Sequence, residues 1–109
     1  MAIDIGKDAP TITISGDVYT LHMSDNDILS LCREVRRRVL DIHIDAEGEV
    51  LDFLKWATER LDALLGDGAA LAIFGTTPID LAGIVRLYNA IADERRKAHL
   101  QYIQDKYGA

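Results

Sequence analysis

Residues 77–107 read TPIDLAGIVRLYNAIADERRKAHLQYIQDKY, one helix that is too long for the body it grows from. Thr77 supplies an N-cap, Pro78 sits at the first helical position, and Asp80 brings an acid three residues after the cap. Leu81, Ile84, Val85, Tyr88, Ile91 and Ala92 then recur at about 100° per residue, which makes one face that meets a core. At Arg95 and His99 that face turns polar, and Leu100, Ile103 and Tyr107 line up on a strip rotated from the first. Against the two other helices expected in the chain, this one is longer by roughly 15 Å at 1.5 Å per residue. A projecting end with its own apolar strip suits a protein-binding module.

Upstream, Ser24-Asp25-Asn26-Asp27 is a serine cap with an acid three residues on, and it starts a helix expected over about Asp25 to Ile44. Its core stripe is Ile28, Leu31, Cys32, Val35, Val39 and Ile42. Gly48 marks a soft junction, after which a second helix is expected from about Glu49 to Leu65. Val50, Phe53, Leu54, Ala57, Leu61, Leu64 and Leu65 face inward along it, and Gly66 and Gly68 end it. Trp56 lies off that stripe, and the tendency of tryptophan to be largely buried favours packing under the N-terminal strands over partial exposure. Ala69 to Gly75 reads as a helical turn that plugs the end of the bundle, with Phe74 as anchor and Gly75 as stop.

Toward the N-terminus, Thr11 to Ile14 and Val18 to Met23 alternate around a break at Ser15-Gly16-Asp17, a β-hairpin with Gly16-Asp17 at its tip. Ile12, Ile14, Tyr19, Leu21 and Met23 share one face. A lone hairpin is marginal in water, so it must lie on the helices. The expected fold is therefore mainly α: a three-helix bundle with an N-terminal β-hairpin and a long protruding C-terminal helix. Residues 1–10 are expected as a flexible segment and 11–109 as a single domain.

Composition narrows the functions. The 109 residues suit one domain that buries on the order of 65% of its unfolded surface. Eighteen acids against twelve bases give a net charge of −6, which argues against a nucleic-acid binder, because duplex affinity comes mainly from neutralising phosphates. One cysteine, Cys32, excludes an intrachain disulfide and fits the cytoplasm. Residues 1–10 carry two acids and no apolar run, so neither a secretory signal nor a membrane span is expected.

Candidate chemistry is sparse. Asp41, His43 and Asp45 would converge on a metal only on a strand, whereas on a helix end they splay; His43 near a helix C-terminus complements the dipole instead. The runs Arg36-Arg37-Arg38 and Arg95-Arg96-Lys97 have acids close by, Glu34 and Asp41 for the first, Asp93 and Glu94 for the second, so solvated ion pairs account for them. Gly66-Asp67-Gly68 lacks the lysine and spacing of a phosphate loop. Cys32 on a core stripe reads as buried and inert. No nucleophile-base or paired-carboxylate pattern stands out, so an enzyme is not expected, nor any cofactor or metal.

The order of elements, with Leu65-Gly66-Asp67-Gly68, Ile73-Phe74-Gly75 and the capped Thr77 helix behind them, resembles the small tail-assembly-chaperone-type proteins of tailed phages and prophages of Gram-positive bacteria. In that family the first turn tends to read Phe-Gly-Glu-Gly, where this chain has Leu65 and Asp67. The likeness covers most of the chain in layout but little of it in motif. It implies a protein of the host bacterial cytoplasm that binds and shields another tail protein, the long helical tape measure, and helps to recruit tail-tube subunits. The partner-binding residues expected from the helix end are Leu100, Ile103 and Tyr107, with Tyr102 nearby, and self-association through the same strip is expected. The alternatives are a small cytoplasmic regulatory adaptor or antitoxin-like module, a metal-dependent hydrolase built on Asp41, His43 and Asp45, and nucleic-acid binding through the arginine clusters.

Overall fold

A computed structural model describes residues 10–43, 45–75 and 80–107. The expected N-cap at Thr77, the proline at position 78 and residues 1–9 of the flexible segment expected over 1–10 lie outside the described residues. Helix accounts for 74% of the described residues, which form a two-stranded antiparallel hairpin and four helices, so the fold is mainly α.

The hairpin joins β1 (Thr11–Ile14) to β2 (Asp17–Thr20), with Ile12 opposite Tyr19 and Ile14 opposite Asp17. Its tip is Ser15-Gly16 rather than Gly16-Asp17. Both residues have positive φ, +52° and +86°, as a two-residue type I′ turn requires, and Asp17 is thereby drawn into the ladder. The second strand also ends at Thr20, short of Met23. Pairing continues by one bond, from the Leu21 N–H to the Pro10 carbonyl, and the His22 N–H then donates to the Leu64 carbonyl. Ile12 and Leu21 are buried, with Ile14, Tyr19 and Met23 packed at the core's margin, so the shared face read from the sequence is the inward one.

Helix α1 (Asp25–Asp41) starts as expected, with the Ser24 hydroxyl accepting from the Asp27 N–H at 3.2 Å. It ends three residues earlier than expected, because Ile42 turns extended and its N–H closes back on the Val39 carbonyl. Helix α2 (Glu47–Leu65) begins two residues before the expected Glu49, so Gly48 lies in its first turn and not in a junction. Gly66, at φ +116°, closes it with an N–H bond to the Asp62 carbonyl. Helix α3 (Ala69–Phe74) follows; its buried residues are Ala69 and Ala70, with Phe74 at the core's margin, so the alanines anchor the plug rather than Phe74 alone. The Asp62 carboxylate accepts from the Ala70 N–H at 2.9 Å and ties α2 to the new helix.

Helix α4 (Leu81–Tyr107) runs 27 residues against 17 for α1 and 19 for α2. Asp80 performs the capping: its carboxylate accepts from the Gly83 N–H and its carbonyl from the Ile84 N–H. Ile84, Tyr88, Ile91 and Ala92 are buried, and α4 packs on both α1 and α2. Two bonds lock this packing, from the Tyr88 hydroxyl to the Ala57 carbonyl and from the Cys32 thiol to the Tyr88 carbonyl at 3.3 Å. Trp56 does not go under the hairpin. It is half-buried beside Phe53, with the Arg38 guanidinium stacked 4.0 Å from its ring centre.

Candidate functional site

The free end of α4 begins where α1 begins. Cys32 meets Tyr88 and Asp25 meets Arg95, so the two helices run antiparallel and α4 continues past the start of its neighbour. Arg95 donates to Asp25 through Nε at 2.8 Å and Nη2 at 3.3 Å, and only 11% of its side chain reaches solvent. The polar break read at Arg95 is therefore still a packed position, held by an acid 70 residues away instead of by the neighbouring Asp93 or Glu94. Arg96 does pair locally, with Asp93 at 3.1 Å.

Beyond this point residues 99–107 are exposed. Leu100 is 62% exposed, Tyr102 55%, Ile103 39% and Tyr107 73%, so none of the four expected contact residues is used by the core. Eighteen residues make five helical turns. Ile103 thus has the bearing of Val85, which packs on the core, whereas Leu100 and Tyr107 have the bearings of Ala82 and Asn89, which face solvent. Tyr102 lies on another flank, about 200° from Leu100, where its hydroxyl accepts from Lys106 Nζ at 3.0 Å. Gln101 and Asp105 bond likewise within the helix, at 2.8 Å. These one-turn pairs stabilise an exposed helix modestly and leave the strip's apolar side chains free.

At the root of the strip is a cleft of about 280 Å³ between α1 and α4, lined by Asp25, Asn26, Leu29, Arg95, Arg96, His99 and Leu100. Sequence reasoning did not foresee it, because it needs α1 to stop level with Arg95. The only available signal was the pair of acids, Asp25 and Asp27, at the start of α1.

The other candidates fall elsewhere. His43 lies past the end of α1, exposed, and both its backbone N–H (3.0 Å) and ring Nδ1 (3.1 Å) meet the Glu49 carboxylate. That corrects the reading of His43 as a residue of the helix end: it staples the α1–α2 connection. The two bonds hold the Glu49 carboxyl below the usual carboxylate range, the backbone bond most strongly. No group of three His, Cys, Asp or Glu among the described residues is placed to hold a metal, and Asp41 instead lies 3.9 Å from Arg37. In the first arginine run, Arg37 (2.7 Å) and Arg38 (2.9 Å) both pair with Glu34, and their hydrogen bonds hold its carboxyl low. Cys32 is buried, and desolvation pushes its thiol up to about 11. Among the described residues no helix is long and apolar enough to cross a membrane.

No protein-family model, curated protein or solved structure matches this chain.

Proposed function

We propose that this chain is a protein-binding module of the phage or prophage tail-assembly-chaperone type, a three-helix bundle whose protruding last helix engages a partner in the cytoplasm of the host bacterial cell. One observation carries the reading: α4 outruns the body and displays Leu100, Ile103 and Tyr107 to solvent, with Tyr102 on the flank. Apolar side chains on a helix end gain their burial energy only from a second surface, and a long helical protein such as a tape measure supplies grooves for helix packing. The mechanism is shielding. An acidic domain of net charge −6 stays dispersed while its apolar strip covers the partner's own, and no cofactor or catalytic group enters.

The test is to read the neighbouring genes and co-express this chain with a long coiled-coil protein found among them, followed by affinity capture. A complex that keeps the partner soluble and is lost in a Leu100→Ser/Ile103→Ser double variant supports the reading. Retention of a globular regulator or toxin instead points to the adaptor class, and neighbouring genes for regulators or metabolic enzymes would remove the phage context.

A further inference from the structure

α4 carries an apolar strip onward past Asp25, the first residue of its neighbour α1, and nothing among the described residues covers it. The strip starts inside the cleft at Leu100 and runs outward through Ile103 to Tyr107. Charge selects the occupant. Beyond Arg96, which pairs with Asp93, residues 97–107 carry Lys97 and Lys106 against the single acid Asp105, while the first turn of α1 beside the cleft carries Asp25, held by Arg95, and Asp27. A helix that ends in a cation and an aromatic ring fits there, and this chain's own α4 ends in Lys106-Tyr107.

We propose that a second copy of this chain docks on the free end of α4, the two helix ends antiparallel, with Tyr107 of each copy seated in the other's cleft between α1 and α4. The choice of surface rests on the reading of that end as an interaction site. A two-fold axis level with residues 101–102 sets Leu100 beside the second copy's Ile103, and Arg96 beside the second copy's Tyr107, a cation over an aromatic face. The second copy's Lys106 then points toward Asp25 and Asp27. Lys97 and Lys106 lie about 180° apart around the helix, so the two copies' lysines fall on opposite sides of the pair. Such a contact is isologous and closes at two copies, and because it covers the strip, self-pairing competes with capture of a foreign helix.

Sedimentation of the full chain from about 1 to 200 μM tests it, with a saturating monomer–dimer equilibrium in the micromolar range expected for so small an interface. Leu100→Asp/Ile103→Asp should weaken it at least about tenfold, through burial lost on one contiguous strip, with unchanged helicity. Spin labels on Asp93→Cys should lie about 25 Å apart or more along the paired helices, at 1.5 Å per residue; Cys32 is buried and takes no label. A chain monomeric throughout, assembly growing beyond two copies, or labels about 10 Å apart as a parallel pair sets them, overturns the proposal. A saturating dimer without tape-measure capture upholds it and ends the chaperone reading, whereas capture by a strictly monomeric chain does the reverse.

Discussion

Arg95 and Asp25, 70 residues apart in sequence, form a two-pronged ion pair that pins the middle of the longest helix to the first residue of α1. Among the described residues, the side-chain hydrogen bonds of α4 beyond it all close within α4. The pair therefore marks the border between packed and free helix.

Breaking it should be asymmetric. Asp25→Ala leaves a guanidinium that is largely out of water without its acceptor and should cost about 1–3 kcal/mol. Arg95→Met keeps the packing of the stem and removes the charge, so it should cost under about 1 kcal/mol. Urea titrations of both variants measure the difference; equal costs would mean that the cation is adequately hydrated without Asp25.

Exposed apolar residues behave otherwise. At low concentration Leu100→Ser/Ile103→Ser should change stability by no more than the roughly ±0.5 kcal/mol of ordinary surface changes and leave the thermal midpoint nearly unmoved, while partner capture disappears. A large drop in the midpoint would place the strip in a core.

Tyr88 is fully buried, and its hydroxyl reaches across to the Ala57 carbonyl on α2. Tyr88→Phe should cost about 1 kcal/mol, the net worth of one hydrogen bond, whereas Tyr88→Ala opens a cavity at a cost of about 3–5 kcal/mol. Chemical denaturation of the phenylalanine variant checks whether the bond or the ring is the larger share.

Acid should loosen the α1–α2 connection first. Glu49 is held low by His43, and Glu34 by Arg37 and Arg38. A lowered folded pKa means that the unfolded chain binds more protons, so the stabilisation is present above the unfolded value of about 4.3 and is lost as pH falls through the folded value. Stability profiles of wild type and Glu49→Gln should therefore converge below that range and separate above it; a constant offset would refute the linkage.

Ser15 carries a positive φ in a turn where asparagine is preferred. Ser15→Asn makes the turn Asn-Gly and should stabilise the chain by about 0.5–1 kcal/mol, on the order of the left-handed penalty relieved. A differential scan against wild type reads it directly.

Much of the secondary structure was legible because its signals are local. The Ser24 cap, the stripe Ile28-Leu31-Cys32-Val35, the glycines after Leu65 and the buried run Ile84-Tyr88-Ile91-Ala92 all appear where spacing put them. Ends were less legible. Ile42 continues an apolar period yet leaves the helix, because periodicity records which face is apolar and not where the backbone stops. Asp80, read from the sequence as an acid in a first turn, stands before the first described residue of α4 and accepts from the Gly83 N–H, a role that spacing alone did not assign to it.

By itself, the sequence determined a mainly helical chain with one hairpin and a last helix longer than its neighbours, since caps, glycines and apolar periods act within a few residues. The tertiary structure decided what lies against what: Arg95 against Asp25, Arg38 on Trp56, His43 on Glu49, the hairpin's inner face against the core, and the cleft at the root of the free end. Those pairings join residues far apart in the chain, or across a connection whose course depends on where a helix ends. Local pattern constrains which face of an element is buried, and only the packing of whole elements selects which neighbour covers it and where that cover stops.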